Sequence, residues 1–145
     1  MWVNVHLNAE KDLDRLAQTD EEAVGYIDSV IELIDSTPDL FEDLLRERNL
    51  REFDPPAGLL GMEVKRIVSL WQQGIRAIRI RLDEEAVLSY RIIYCASFER
   101  NPNGSYSRKI NILAVADKDR DGFDYQQDHW LTKRIIKDYE ELHAD

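Results

Sequence analysis

The sequence predicts an α+β fold: a mainly antiparallel β-meander sheet, N-terminal helices packed on one face, and a C-terminal helix. Three observations carry that prediction. Apolar residues recur at helical spacing in the first third of the chain; after about residue 62 the texture becomes alternating and β-branched; a last helical stripe closes the sequence. Helices followed by hairpin-connected strands give a sheet whose helices are segregated to one side.

Trp2, Val3, Val5 and Leu7 predict a short first strand ended by Asn8. A helix follows over 9–17, with Leu13, Leu16 and Ala17 in phase. Thr19 or Asp20 is a suitable cap for the next helix, and Glu21 and Glu22 favour its first turn. Its apolar stripe is Ala23, Ile27, Val30, Ile31 and Ile34, and Ser36-Thr37-Pro38 stops it. A third helix is expected over 39–48 on Leu40, Phe41, Leu44 and Leu45. Phe53-Asp54-Pro55-Pro56-Ala57-Gly58 is the clearest break.

Residues 63–72 are apolar at both periods and stay ambiguous, and Gln73-Gly74 reads as a turn. Strands are expected at 75–82, 86–98 and 107–117. Ile78, Ile80 and Leu82 point one way and Ala77, Arg79 and Arg81 the other. Asp83-Glu84-Glu85 and Asn101-Pro102-Asn103-Gly104-Ser105 connect the strands. In the last strand Ile110, Ile112, Ala114 and Ala116 are expected on one face. The closing helix runs over 128–142 on Leu131, Ile135, Ile136, Tyr139 and Leu142.

At 145 residues, with 43% hydrophobic and 33% charged residues, one globular domain over 1–145 is expected, with an enlarged, acidic, helical N-terminal half at about 9–62. No apolar run approaches the roughly 20 residues that span a bilayer, and no secretory signal is apparent, so a cytoplasmic protein without a membrane partner is expected. Cys95 is the single cysteine, which excludes an internal disulfide. The net charge of −10 is unevenly spread. Residues 1–62 hold 15 acids against 5 bases, net −10; residues 63–118 hold 6 against 10, net +4; residues 119–145 hold 8 against 4, net −4. A basic middle between acidic ends marks a local anion site rather than a long nucleic-acid track.

Three runs narrow the fold further: Ile78-Arg79-Ile80-Arg81-Leu82, Tyr90-Arg91-Ile92-Ile93-Tyr94, and Ile112-Leu113-Ala114-Val115-Ala116-Asp117-Lys118-Asp119-Arg120 followed by Tyr125. In that order and at those separations they resemble the RelE/ParE superfamily of bacterial toxin–antitoxin toxins. The resemblance covers residues 75–126 and extends weakly to both ends. It implies a toxin that cleaves messenger RNA, free or on the ribosome, without a metal or cofactor, and that pairs with a cognate antitoxin protein. The same family includes toxins that bind DNA gyrase and do no chemistry, and the fold also admits a non-toxic relative that binds proteins. Position by position, the resemblance makes Arg79, Arg81, Arg91, Arg120 and Tyr125 candidate catalytic residues, with Lys118 an alternative to Arg120. Lys118 and His129 are candidate substrate-binding residues.

Cleavage of this kind needs a base near the ribose 2′-hydroxyl, an acid near the leaving oxygen, and cations around the phosphorane. Arginine, always protonated, is a poor base. Glu84, Glu85, Tyr125 and His129 are the alternatives the sequence offers. Each candidate also has a plain structural role open to it. Arg79 and Arg81 fit the polar face of a half-buried strand; Arg91 must be paired or used; Tyr125 fits packing or capping; His129 fits the start of a helix. His6 and His143 form no cluster. Asp117 to Gly122 alternates acids as a calcium loop does, but Asp128 stands where the closing glutamate belongs.

Overall fold

The computed structural model describes residues 2–50 and 61–144. The Phe53–Gly58 break lies outside the described residues. In chain order the elements are β1 (Val3–Val5), α1 (Leu7–Ala17), α2 (Glu21–Asp35), α3 (Phe41–Leu44), β2 (Arg48–Leu50), β3 (Met62–Arg66), α4 (Val68–Trp71), β4 (Ile78–Leu82), β5 (Tyr90–Arg100), β6 (Tyr106–Asp117), α5 (Lys118–Asp121) and α6 (Trp130–Leu142). The strands form one sheet in the order β1-β6-β5-β4-β3-β2. β1 runs parallel to β6, and the other pairings are antiparallel, so the sheet is mixed.

Local chemistry sets most element ends. His6 caps α1 by accepting from Asn8 N at 3.0 Å, and Asp20 caps α2 by accepting from Ala23 N at 3.1 Å. Pro38 opens one 3-10 turn (Pro38–Leu40) before α3, which ends at Leu44, so the third helix is shorter than its apolar spacing predicts. The ambiguous stretch 63–72 divides into β3 and the single turn of α4. β4 starts at Ile78: Ile75 and Ala77 are buried without strand pairing, and the Ala77 carbonyl accepts instead from Ile67 N and Trp71 Nε1. Glu85–Val87 coil into a 3-10 turn, so β5 begins only at Tyr90.

One expected facing is corrected. The β5–β6 register shifts between Ile93 and Tyr94: Ile93 pairs Ala114 while Tyr94 pairs Ile112, leaving Leu113 as the extra residue of a bulge. The bulge flips the alternation. Ile110 and Ile112 face α1 and α2, whereas Ala114 and Ala116 face the other way. The sheet thus carries two apolar layers. Ile78, Ile80, Leu82, Ile92 and Tyr94 pack with α1, α2 and α3 on one face. Ile93, Cys95, Leu113 and the two alanines pack with Phe123, Leu131 and Ile135 on the other.

β1 covers β6 only over Ile110–Ile112, so among the described residues the outer edge of β6 beyond that point has no strand beside it. Side chains take over the pairing. Asp12 Oδ2 accepts from Val115 N at 3.0 Å, Arg134 Nη2 donates to Leu113 O at 3.2 Å, and Asp121 Oδ2 accepts from Asp117 N at 3.0 Å. Arg134 grips Asp12 with two short bonds, 2.7 and 2.6 Å, and Arg15 links Asp12 to Asp121. Asp12 is 1% exposed, so its charge is met entirely inside the protein. Removing one partner of such a pair leaves the other charge bare and typically costs about 3–5 kcal/mol. Asp12→Ala and Arg134→Ala are each expected to destabilise the fold by about that amount in urea unfolding. The double variant should cost clearly less than the sum of the two, because both disrupt one interaction.

Candidate functional site

Alternation puts Arg79 and Arg81 on the sheet face opposite α1 and α2, since their neighbours Ile78, Ile80 and Leu82 fill the core there. Register then assembles a patch across three strands. Glu63 of β3 stands opposite Arg81, and Lys65 opposite Arg79. Arg79 stands opposite Ile93; the paired register ends at Ile80–Ile92, and just beyond it Arg81 comes near enough to Arg91 for their charges to act on each other. On β6 the positions opposite Arg91 and Ile93 are Ala116 and Ala114. Small side chains at these two places leave room for the chain after β6 to fold back over the sheet.

That return is built by α5 and Gly122, whose left-handed φ of 57° reverses the chain. Phe123 then buries among the alanines, and Tyr125 packs edge-on against it at 4.7 Å. Tyr125 also has a left-handed backbone, φ 62°. For a bulky residue this costs on the order of 1–3 kcal/mol and persists only where the surroundings impose it. The strained backbone sets the phenol beside Arg91 and Arg79.

Electrostatics at this face is concentrated. Glu63 bonds Arg79 Nη2 at 2.8 Å and lies 3.6 Å from Arg81 Nη2. Partial burial works to raise the Glu63 pKa, but the Arg79 hydrogen bond and the charges of Arg79, Arg81 and Lys65 outweigh it and hold the carboxyl below its ordinary value of 4.5. Arg91 forms no ion pair among the described residues; its Nη1 donates to the Leu88 and Tyr90 carbonyls at 2.7 and 2.8 Å. Burial, and then the neighbouring Arg79 and Arg81, lower its pKa against the opposing pull of Tyr125. Burial raises the Tyr125 pKa above 10, with Arg79 and Arg91 opposing, so at neutral pH the phenol is protonated. Arg91 sits close enough to that phenol to favour its ionised form, yet the contact falls short of good hydrogen-bond geometry. Tyr125 Oη and Arg81 Nε are both buried with no hydrogen-bond partner among the described residues. They are two of six such side-chain atoms among the described residues, the others being Trp2 Nε1, Tyr90 Oη, Thr132 Oγ1 and Arg134 Nε; these two are donors within a cationic patch, where an anionic ligand could meet them.

The other sequence candidates separate cleanly. Lys118 joins the patch: its Nζ lies 5.8 Å from the Tyr125 ring and 2.9 Å from Asp124. Arg120 does not. Its Nε reaches Asp117 at 3.5 Å, and its charge acts on Tyr90, which faces the α1–α2 core. His129 caps α6: Nδ1 accepts from Leu131 N at 3.0 Å, which leaves Nε2 as donor to the Asp121 carbonyl at 2.7 Å. Both ring nitrogens are therefore committed to structure. Glu84 lies near Tyr26 of α2, whose pKa its charge helps to raise. Glu63 is the carboxylate that sequence reasoning missed, because its strand fell in the stretch with no clear period. No cluster of three or more His, Cys, Asp or Glu side chains able to hold a metal occurs among the described residues.

Tyr125→Phe should keep the ring packing and remove a buried, unsatisfied hydroxyl. It is expected to leave stability unchanged or raise it by about 1 kcal/mol in chemical denaturation. A clear loss of stability would mean that the hydroxyl is bonded. Comparison with protein-family models, curated proteins and solved structures finds no match to this chain.

Proposed function

We propose that the chain is a RelE/ParE-type toxin of a bacterial toxin–antitoxin pair, and that it cleaves messenger RNA at the Glu63–Arg79–Arg81–Arg91–Tyr125 face. The observation that carries this reading is the convergence of Arg79, Arg91 and Lys118 on a partly buried, protonated tyrosine, with Arg81 beside Arg91 and with Arg81 Nε and Tyr125 Oη lacking partners among the described residues.

The chemistry follows from what each group can do. The 2′-oxygen attacks the adjacent phosphorus, the bond to the 5′-oxygen breaks, and the products carry a 2′,3′-cyclic phosphate and a 5′-hydroxyl. Glu63, ionised at neutral pH, takes the 2′-hydroxyl proton. Tyr125, neutral at neutral pH, supplies a proton to the departing 5′-oxygen and regains it from solvent. Arg79, Arg81 and Arg91 offset the charge that builds on the phosphorane oxygens. Lys118 extends the positive face towards a flanking phosphate.

A second reading has one observation in its favour. A carboxyl held below the ordinary glutamate range is a weak base, which suits a toxin that binds DNA gyrase and does no chemistry. Mapping messenger-RNA ends in cells expressing the protein, with and without a cognate antitoxin, separates the two. The nuclease reading expects new 5′-hydroxyl ends, and a loss of cleavage of roughly 10²–10³-fold for Arg91→Ala or Arg79→Ala. It also expects kcat/KM to stay flat through neutral pH and to fall only below the ordinary glutamate value, as the free protein's Glu63 protonates. Growth arrest with intact transcripts would favour the gyrase reading; no growth defect would leave the protein-binding relative.

A further inference from the structure

We propose that Glu63 is an internal counter-ion which the substrate must displace: an incoming phosphodiester takes Arg79 and Arg81 from the Glu63 carboxylate, and the released carboxylate then becomes the acceptor for the adjacent hydroxyl. The inference rests on the face being a phosphodiester site.

The geometry makes the competition direct. Glu63 holds Arg79 through one short bond at 2.8 Å and Arg81 at the looser 3.6 Å, using the same guanidinium donors that a phosphate would use. The side chains of Arg79, Glu63 and Arg81 are 14%, 19% and 36% exposed, so the bridge is open enough for a ligand to reach. Among the described residues, Arg79 Nη1 has a long 3.5 Å contact to the Glu63 carbonyl, and Arg81 Nε has no acceptor. A phosphate offers two non-bridging oxygens that can take the Nη2 donors Glu63 holds together with these spare ones, and gains Arg91 besides, whereas the carboxylate engages Arg79 well and Arg81 poorly. Small monovalent anions lack that reach, so Glu63 screens the site against them.

The groups around Glu63 set the proton balance. Lys65 stands on its own strand, Arg79 and Arg81 on β4, Asp83 3.5 Å from Arg81, Arg91 on β5, and Lys118, Asp124 and Tyr125 on the return loop. Moving the two arginines onto a phosphate strips Glu63 of its nearest positive partners and brings a negative charge beside it. Its affinity for a proton must rise, so substrate binding itself turns a weak base into a stronger one. Bound and free protein should therefore titrate differently, with the acid limb of kcat lying at higher pH than that of kcat/KM.

Fluorescence anisotropy of the full chain with a labelled single-stranded oligodeoxynucleotide, which lacks the attacking hydroxyl, reads the displacement without cleavage. Glu63→Gln should bind about tenfold more tightly than the parent protein at low salt, as expected when one charge-assisted competitor is removed. On an RNA substrate the same variant should lose cleavage. Equal or weaker oligonucleotide binding by folded Glu63→Gln overturns the inference. Calorimetry on the unaltered protein near pH 5, in two buffers of different ionisation enthalpy, provides a test that needs no variant: binding should take up protons, and zero uptake overturns the proposal. Arg91→Ala distinguishes the two levels. If it binds the oligonucleotide as well as the parent does, the ligand sits elsewhere and the site reading fails; if it binds weakly while Glu63→Gln is unchanged, only the counter-ion role fails.

Discussion

The incompletely covered edge of β6 is the constraint on which the rest of the structure depends. A three-residue β1 cannot pair with a twelve-residue strand, and every buried backbone group left over needs a partner. Asp12 and Arg134 supply those partners, and in doing so tie α1, β6 and α6 into one unit. The tie reaches the candidate site. Arg15 holds Asp121, and Asp121 in turn fixes the start of α5 through Asp117 N and the start of α6 through His129. Between those two anchors the chain has only a short span in which to place Phe123 and Tyr125 over the alanines of β6. The strained backbone of Tyr125 is imposed from both sides, well away from the phenol it positions.

Much of this was legible in the sequence because it rests on periodicity. The α2 stripe, the Asp20 cap, the Pro38 stop and the outward facing of Arg79 and Arg81 follow from spacing and capping chemistry. The β6 bulge was not legible: Ile110, Ile112, Ala114 and Ala116 alternate without interruption, and only pairing with β5 shows that Leu113 is an extra residue. Glu63 was hidden for a related reason. A five-residue strand followed at once by a helical turn satisfies both periods, so its facing could not be assigned. Lys118 and Arg120 could not be ranked from spacing. Two residues apart on a helical turn they point to different sides, and the direction depends on where α5 begins.

The candidate site departs from local rules in several places at once. Arg91 interrupts an apolar strand, Tyr125 takes a backbone that bulky residues avoid, and two polar atoms are buried unmet. Four other buried polar atoms, Trp2 Nε1, Tyr90 Oη, Thr132 Oγ1 and Arg134 Nε, also lack a hydrogen-bond partner among the described residues, so what sets the patch apart is that its two coincide with the interrupting arginine and the left-handed tyrosine. Conflicts gathered in one patch are what a functional surface looks like when the remaining structure supports it.

The acidity of the whole chain then fits its basic face. The first 62 residues carry the largest negative excess, and the helices among them pack on the sheet face away from the arginines. A polyanion is repelled by that side and attracted to the other, so the field restricts both the place and the orientation of docking. The attractive face is small, and within it Glu63 already occupies two of the arginines. On the proposed reading, loose adhesion to nucleic acid would be weak, since few counter-ions would be released on contact. Tight binding would then require a ligand that brings a phosphate to all three arginines together, and the proposed internal competitor would contribute to selectivity alongside the cations.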